Sequence, residues 1–242
     1  MEFLIIASTI SKNFNTLEAL QLGVQKEMKK VIFNTFLLIC FLVALGLSAF
    51  ASEERLWEFK VYLDKKEIGY QYFKLTPKPN GSNVSIEAKF DVEYLFINFY
   101  NYRHNNREVW RDGCLQSIDS KTVDNGENFF VAGSMQSEVF TIKSQAGEQR
   151  LKGCVKTFSY WDADFLNSTH LLNSQTGEFS PVEIRELGST EINVSGQLIP
   201  AVHYHLSTRN FEIELWYSPD HSEWLALRST TVDGNVLRYE RL

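Results

Sequence analysis

Along most of this chain apolar and polar side chains take turns, and a backbone whose side chains change face at every residue is a strand. Trp57, Phe59, Val61 and Leu63 fall on one face, with Glu58, Lys60 and Tyr62 on the other. Residues 68–75 return after a turn at 64–67, so the two segments make a hairpin. Pro77, Pro79, Asn80 and Gly81 then break the chain, because proline lacks a donor and glycine accepts positive φ. Val84, Ile86, Ala88, Phe90 and Val92 take up the alternation again. Similar runs cover 94–102, 107–111, 115–123, 129–132 and 138–143, and later 182–186, 191–194, 198–206, 211–217, 224–231 and 236–239. Asn125-Gly126, Ala146-Gly147, Pro219-Asp220 and Asp233-Gly234 separate several of them with hairpin chemistry. So many short strands on tight turns predict a mainly β fold, a single antiparallel β-roll or open barrel-like domain, rather than a parallel sheet with crossover helices.

One stretch departs from the pattern. In residues 160–178, YWDADFLNSTHLLNSQTGE, Asp162 is placed to cap a short helix through Asp164, Phe165, Leu166 and Asn167. One short helix packed on the sheet is therefore expected.

The first 51 residues read as something else. Lys29 and Lys30 precede an apolar run from Val31 to Leu47, followed by Ser48, Ala49, Phe50 and Ala51. A charged start, an apolar middle and an Ala-x-Ala site make a signal peptide. Its strongest stretch, 36–47, is well short of the roughly 20 residues that a spanning helix needs. The expectation is an N-terminal signal helix cleaved near Ala51, a true start at Met28 with 1–27 as an over-extended beginning, and a single β domain over 52–242. The mature protein would then be periplasmic or secreted, touching the membrane only through that segment.

Two cysteines follow the leader, Cys114 and Cys154, and an oxidising compartment favours their pairing. A bridge closing a loop of about 40 residues stabilises by roughly 4 kcal/mol in the chain-entropy model; two buried thiols are the other reading. The chain holds 24 Lys plus Arg against 30 Asp plus Glu, a formal net charge of −6, without a dense basic run. Nucleic acid is therefore an unsuitable partner, since phosphate binding depends on clustered positive charge.

Candidate site residues come from three places. Tyr94, Phe96, Asn98, Tyr100, Tyr102 and His104 share one face of a strand. A Tyr-rich face with polar tips suits the lining of a cavity for an amphipathic guest, or a core face with local hydrogen bonds. Residues 161–178 gather Asp162, Asp164, His170, Asn173, Gln175 and Glu178 among large apolar neighbours, an arrangement open to acid–base chemistry or simply to capping and loop bracing. His203 and His205 point the same way along a strand and would need a third ligand to hold a metal, so no metal is assigned. The ligand-binding set is Tyr100, Tyr102, His104, Trp110, Trp161, Asp162, Asn173 and Trp216. The chain contains no Gly-x-Ser-x-Gly, His-Glu-x-x-His, Cys-x-x-Cys, phosphate-loop or dinucleotide motif. No catalytic residue and no cofactor are assigned, and an enzyme is the least favoured class.

The phrases LWEFKVYLDKKEIGY from Leu56, YNYRHNNREVWRDGC from Tyr100, TVDNG from Thr122, YWDADFLN from Tyr160, LLNSQTGE from Leu171 and IELWYSPDHSEWLAL from Ile213 together resemble a bacterial exported family known as domain of unknown function 6134. A more distant similarity links Gly188, Val194, Gly196, Ala201 and Trp216 to other periplasmic β-rich proteins of unknown function. The resemblance implies a Gram-negative envelope setting and a β-rich fold, and it brings no activity. His221-Ser222-Glu223 departs from the short Gly-containing turn usual there. Three functions follow as expectations: a carrier of an apolar or lipid-like molecule, an interaction or assembly factor for another envelope protein, and an enzyme with an unfamiliar site around His104, Asp162 and His170.

Overall fold

The computed structural model describes residues 53–94, 97–231 and 234–242, and the side chains of 93–99 also lie outside the described set. The leader, its cleavage site and the readings of Tyr94, Phe96 and Asn98 fall outside it. Within the described residues the chain is almost entirely antiparallel strand, as the alternation predicts.

Eight strands follow one another as a meander: β1 (Arg55–Leu63), β2 (Lys66–Lys78), β3 (Gly81–Tyr94), β4 (Ile97–Arg111), β5 (Cys114–Asp124), β6 (Glu127–Gln136), β7 (Val139–Ser144) and β8 (Gly147–Lys152). The chain then leaves the sheet. It makes a short 3₁₀ helix (Ala163–Asn167) and a small hairpin of β9 (His170–Leu172) and β10 (Phe179–Pro181). It returns as β11 (Glu183–Val194), β12 (Gln197–Ser207), β13 (Glu212–Tyr217), β14 (Trp224–Thr230) and β15 (Val236–Arg241). β15 pairs with β1, with Phe59 opposite Arg241 and Leu63 opposite Leu237, and this joins both runs into one sheet of 13 strands with β8 and β11 at its edges. The barrel is open, not closed.

Turn chemistry explains the meander. Asp112 and Gly113 both have positive φ, as do Asn125 and Gly126, the conformation whose twist matches paired strands. The divergent turn after Tyr217 is braced by the Asp220 carboxylate, which accepts from the Ser222 amide at 3.1 Å and the Ser218 hydroxyl at 2.5 Å.

The expected strands of the sheet are present, with four differences, one being that the runs 182–186 and 191–194 form a single strand, β11. The run expected over 94–102 is divided, with Tyr94 ending β3, and its part from Ile97 continues through 107–111 as one strand, β4, because His104 and Asn106 between them face inward and find partners there. β8 was not expected: its sequence, GEQRLK, is a polar edge with no alternation to see. The β9–β10 hairpin is too short to show a period. The expected helix forms as one 3₁₀ turn, capped by Asp162, whose Oδ1 accepts from the Asp164 amide at 3.0 Å.

The inner face carries the core. Trp57, Phe59, Phe73, Leu215, Tyr217 and Trp224 are fully buried, and the Phe59 and Trp224 ring centres lie 4.2 Å apart. The excursion from β8 to β11, residues 153–182, lies over this face as a strap. Its Val155, Phe165, Leu171 and Leu172 are buried in the same core, and Tyr160 packs 5.3 Å from Trp224. A disulfide fixes the strap's first turn to the start of β5: Cys114 and Cys154 are bonded, with Cα atoms 5.1 Å apart.

Candidate functional site: a polar knot beneath the strap

Among the described residues the buried polar side chains concentrate at the inward face of β4. Tyr102, His104, Asn106, Glu108 and Trp110 project there in succession, and β5 answers with Thr122 opposite His104 and Ser120 opposite Asn106. Both neighbouring strands put apolar side chains beside Glu108: Val84 on β3 and Ile118 on β5. Yet Glu108 is only 1% exposed.

A buried carboxyl survives only among donors. Asn106 Nδ2 donates to Oε1 at 2.8 Å and Trp110 Nε1 to Oε2 at 2.9 Å. The strap supplies the rest: the Ser159 hydroxyl donates to both oxygens, at 3.0 and 3.2 Å, with the Thr157 hydroxyl beside them. Burial pushes the Glu108 carboxyl above its usual range, and the donors pull it part of the way back. Five buried polar atoms near this knot, Trp57 Nε1, Asn106 Oδ1, Ser120 Oγ, Thr157 Oγ1 and Trp161 Nε1, have no hydrogen-bond partner among the described residues.

Further along the strap, the 173–178 turn covers the tyrosine face. The Tyr102 hydroxyl donates to Gln175 Oε1 at 3.1 Å, and Gln175 Nε2 donates to Asp124 Oδ2 at 2.9 Å. Tyr100 also bonds Asp124, and its hydroxyl is pushed well up by burial first and by that carboxylate second. His104 Nδ1 pairs with Thr122 Oγ1 at 2.8 Å, and its Nε2 faces Ser174 Oγ at 3.5 Å. Burial pulls His104 down to about 4, so it is neutral near pH 7. Asn173 shapes the turn itself, its Oδ1 accepting from the amides of Gln175 and Thr176.

The predicted ligand set is therefore split. Tyr100, Tyr102, His104, Trp110, Trp161 and Asn173 gather between β4 and the strap, and the Trp110 and Trp161 rings meet edge to face at 5.6 Å. Asp162 is a helix cap. Trp216 sits on the other side of the sheet, where it stacks on His203 at 4.5 Å and the Arg228 guanidinium lies 5.8 Å from its ring. His203 faces Glu214 at 3.4 Å and His205 faces Glu212 at 3.3 Å. Among the described residues no group of three or more His, Cys, Asp or Glu could hold a metal ion. Sequence reading missed Asn106, Glu108, Thr157 and Ser159. The available signal was Glu108 standing two residues from Trp110, on the same face of one strand.

Chemically, the knot is an acceptor held in place. His104 and Glu108 lie four residues apart on one strand, roughly 13 Å at strand rise, too far to share a proton. His170 is exposed and stacks on Phe179 at 5.3 Å, away from the knot.

Fold and site together define an open, barrel-like antiparallel sheet wrapped around a strap of its own chain. The sequence places it further: the chain belongs to the family described as Domain of unknown function (DUF6134), whose model matches residues 59–242. A solved structure with a similar fold is a beta-barrel-like protein of domain of unknown function DUF1849 from Brucella abortus, at TM-score 0.57 and 8% identity, covering 77% of this chain and 94% of that one. At that identity the likeness concerns fold alone. No curated protein matches the chain.

Proposed function

We propose that this chain is an exported binding protein of the bacterial envelope, one that holds an amphipathic, lipid-like molecule on its concave face, with the strap as the cover that swings away to admit it. The observation that carries this reading is how the strap is attached. Near its start, Gly153 donates to the Glu138 carbonyl and Leu115 to the Val155 carbonyl. From residue 156 to 181, by contrast, its backbone hydrogen bonds among the described residues run to itself, as in Phe158 to Leu172 and Leu172 to Lys156. Side chains alone tie this part to the sheet: Ser159 to Glu108, Tyr102 to Gln175, the Tyr217 hydroxyl to the Tyr160 carbonyl at 2.6 Å, and Gln149 to the Gly177 carbonyl at 3.3 Å. A segment without ladder bonds leaves a sheet at lower cost than a strand does, and the face beneath it is aromatic. The leader favours a periplasmic setting, where such molecules travel.

Native mass spectrometry after gentle purification tests the reading: an apolar adduct, or uptake of an added amphiphile, is expected. A chain that neither carries nor takes up any amphiphile contradicts it. A second reading has its own observation, since β11 presents an outer edge of 12 residues with no paired strand among the described residues, beside the exposed Leu187 and Leu198. Extended segments of other proteins add to such edges. In-cell crosslinking that recovers one specific envelope protein through β11, with no small molecule bound, would favour that role.

A further inference from the structure

The knot holds more polarity than the fold requires. An apolar side chain at position 108 would continue the packing of Val84 and Ile118 without needing donors. Instead a carboxyl sits there, and one of its donors, the Ser159 hydroxyl, belongs to the strap. When the strap lifts, Asn106 and Trp110 remain to orient the carboxyl, and its accepting capacity toward the concave face is released. Asn106 Oδ1, 1% exposed at the residue and without a partner among the described residues, adds a second acceptor at the same spot.

The walls suit one kind of charge. Trp110 donates its ring N–H to the carboxyl at 2.9 Å, and with the strap closed the Trp161 ring lies 6.4 and 5.6 Å from the Trp57 and Trp110 rings. Indole faces attract cations. Trp57 already takes one, the Arg55 guanidinium 4.6 Å from its ring, whose charge is answered by Glu223 at 2.7 Å. A fatty carboxylate brought here would meet Glu108 as a like charge in a dry site, whereas an ammonium would complete a carboxylate's hydrogen bonding and rest against tryptophan.

We propose that Glu108, Asn106, Trp57 and Trp110 form the head-group site for an amphiphile with a cationic ammonium head, and that the Ser159 hydroxyl holds that place while the strap is closed. This rests on the strap being a cover. Dodecylamine and dodecanoate are the probes, titrated at pH 7 against the purified protein and read by native mass spectrometry and tryptophan fluorescence. Dodecylamine should bind at least tenfold more tightly than dodecanoate. Glu108→Gln should weaken dodecylamine at least tenfold and leave dodecanoate unchanged or improved, while Ser159→Ala, which removes the strap's competing donor, should strengthen dodecylamine. Dodecanoate binding as tightly as dodecylamine, or Glu108→Gln keeping wild-type affinity for the amine, overturns the head-group assignment and leaves the carrier reading intact. Should Glu108→Gln fail to fold, Ser159→Ala decides, and unchanged or weaker amine binding there overturns the assignment. If neither amphiphile binds, the carrier reading falls and this inference with it.

Discussion

Gly177 is the place to test how the strap is seated. It has φ 79° in the turn between β9 and β10, and a Cβ there would lie 2.8 Å from Ser144 Cβ and 2.9 Å from Ser144 Oγ on β7. Gly177→Ala therefore incurs two costs. The left-handed backbone costs an L-residue about 1 to 2 kcal/mol, and overpacking against β7 adds about 1 to 3 kcal/mol, so the folded state should lose roughly 2 to 5 kcal/mol. Ser144→Gly removes the colliding atoms at the expense of a strand glycine, about 0.5 to 1 kcal/mol, and of the Ser144 hydroxyl that accepts from the Ala146 amide at 3.2 Å. In the double variant only the backbone costs and that lost bond remain. Urea denaturation of the four proteins should then show a coupling of about 1 to 3 kcal/mol in favour of the double variant. Effects that add to within about 0.5 kcal/mol would mean that the turn does not rest on β7, and the packing argument would be refuted.

Two other outcomes follow from the same geometry. Burial lowers the folded-state pKa of His104 from 6.5 to about 4, so between those values the unfolded chain binds a proton that the folded chain does not. Stability from this residue is therefore complete above pH 6.5 and falls away toward pH 4, by at most about 3 kcal/mol; His104→Asn should flatten that part of the urea-midpoint profile, and an unchanged slope would contradict the assignment. Replacing Cys114 and Cys154 by serine, or reducing the bond with dithiothreitol, should cost roughly 4 kcal/mol and lower the melting temperature, and a loss under about 1 kcal/mol would show that the tether at the strap's base contributes little.

The strands were legible because burial here follows the rule that apolar side chains face in. Trp57, Phe59 and Val61 announce β1, and Val84, Ile86, Ala88 and Phe90 announce β3. The Asp162 cap was also visible, since a short acidic side chain before a possible helical turn can accept from its free amides. The knot was not legible, because it breaks that rule: Asn106 and Glu108 are polar and face in, while Val109 is apolar and 40% exposed. A reader who assumes polar means outward splits β4 in two at this point. Nor could spacing reveal that Ser159, 51 positions from Glu108, returns to meet it. Trp216, counted with the ligand set, departs in the opposite sense, since its partners His203 and Arg228 lie on the outer face of the sheet.

The seam between β1 and β15 has a consequence for how this protein comes into being. The first strand of the domain waits for the last: Val61 cannot meet Tyr239 until nearly every residue has been delivered. Such distant pairing slows assembly, so the two runs of strands stay separate until the tail of the domain arrives. Removing the closing strand should leave two half-sheets with raw borders, prone to clump before either could mature.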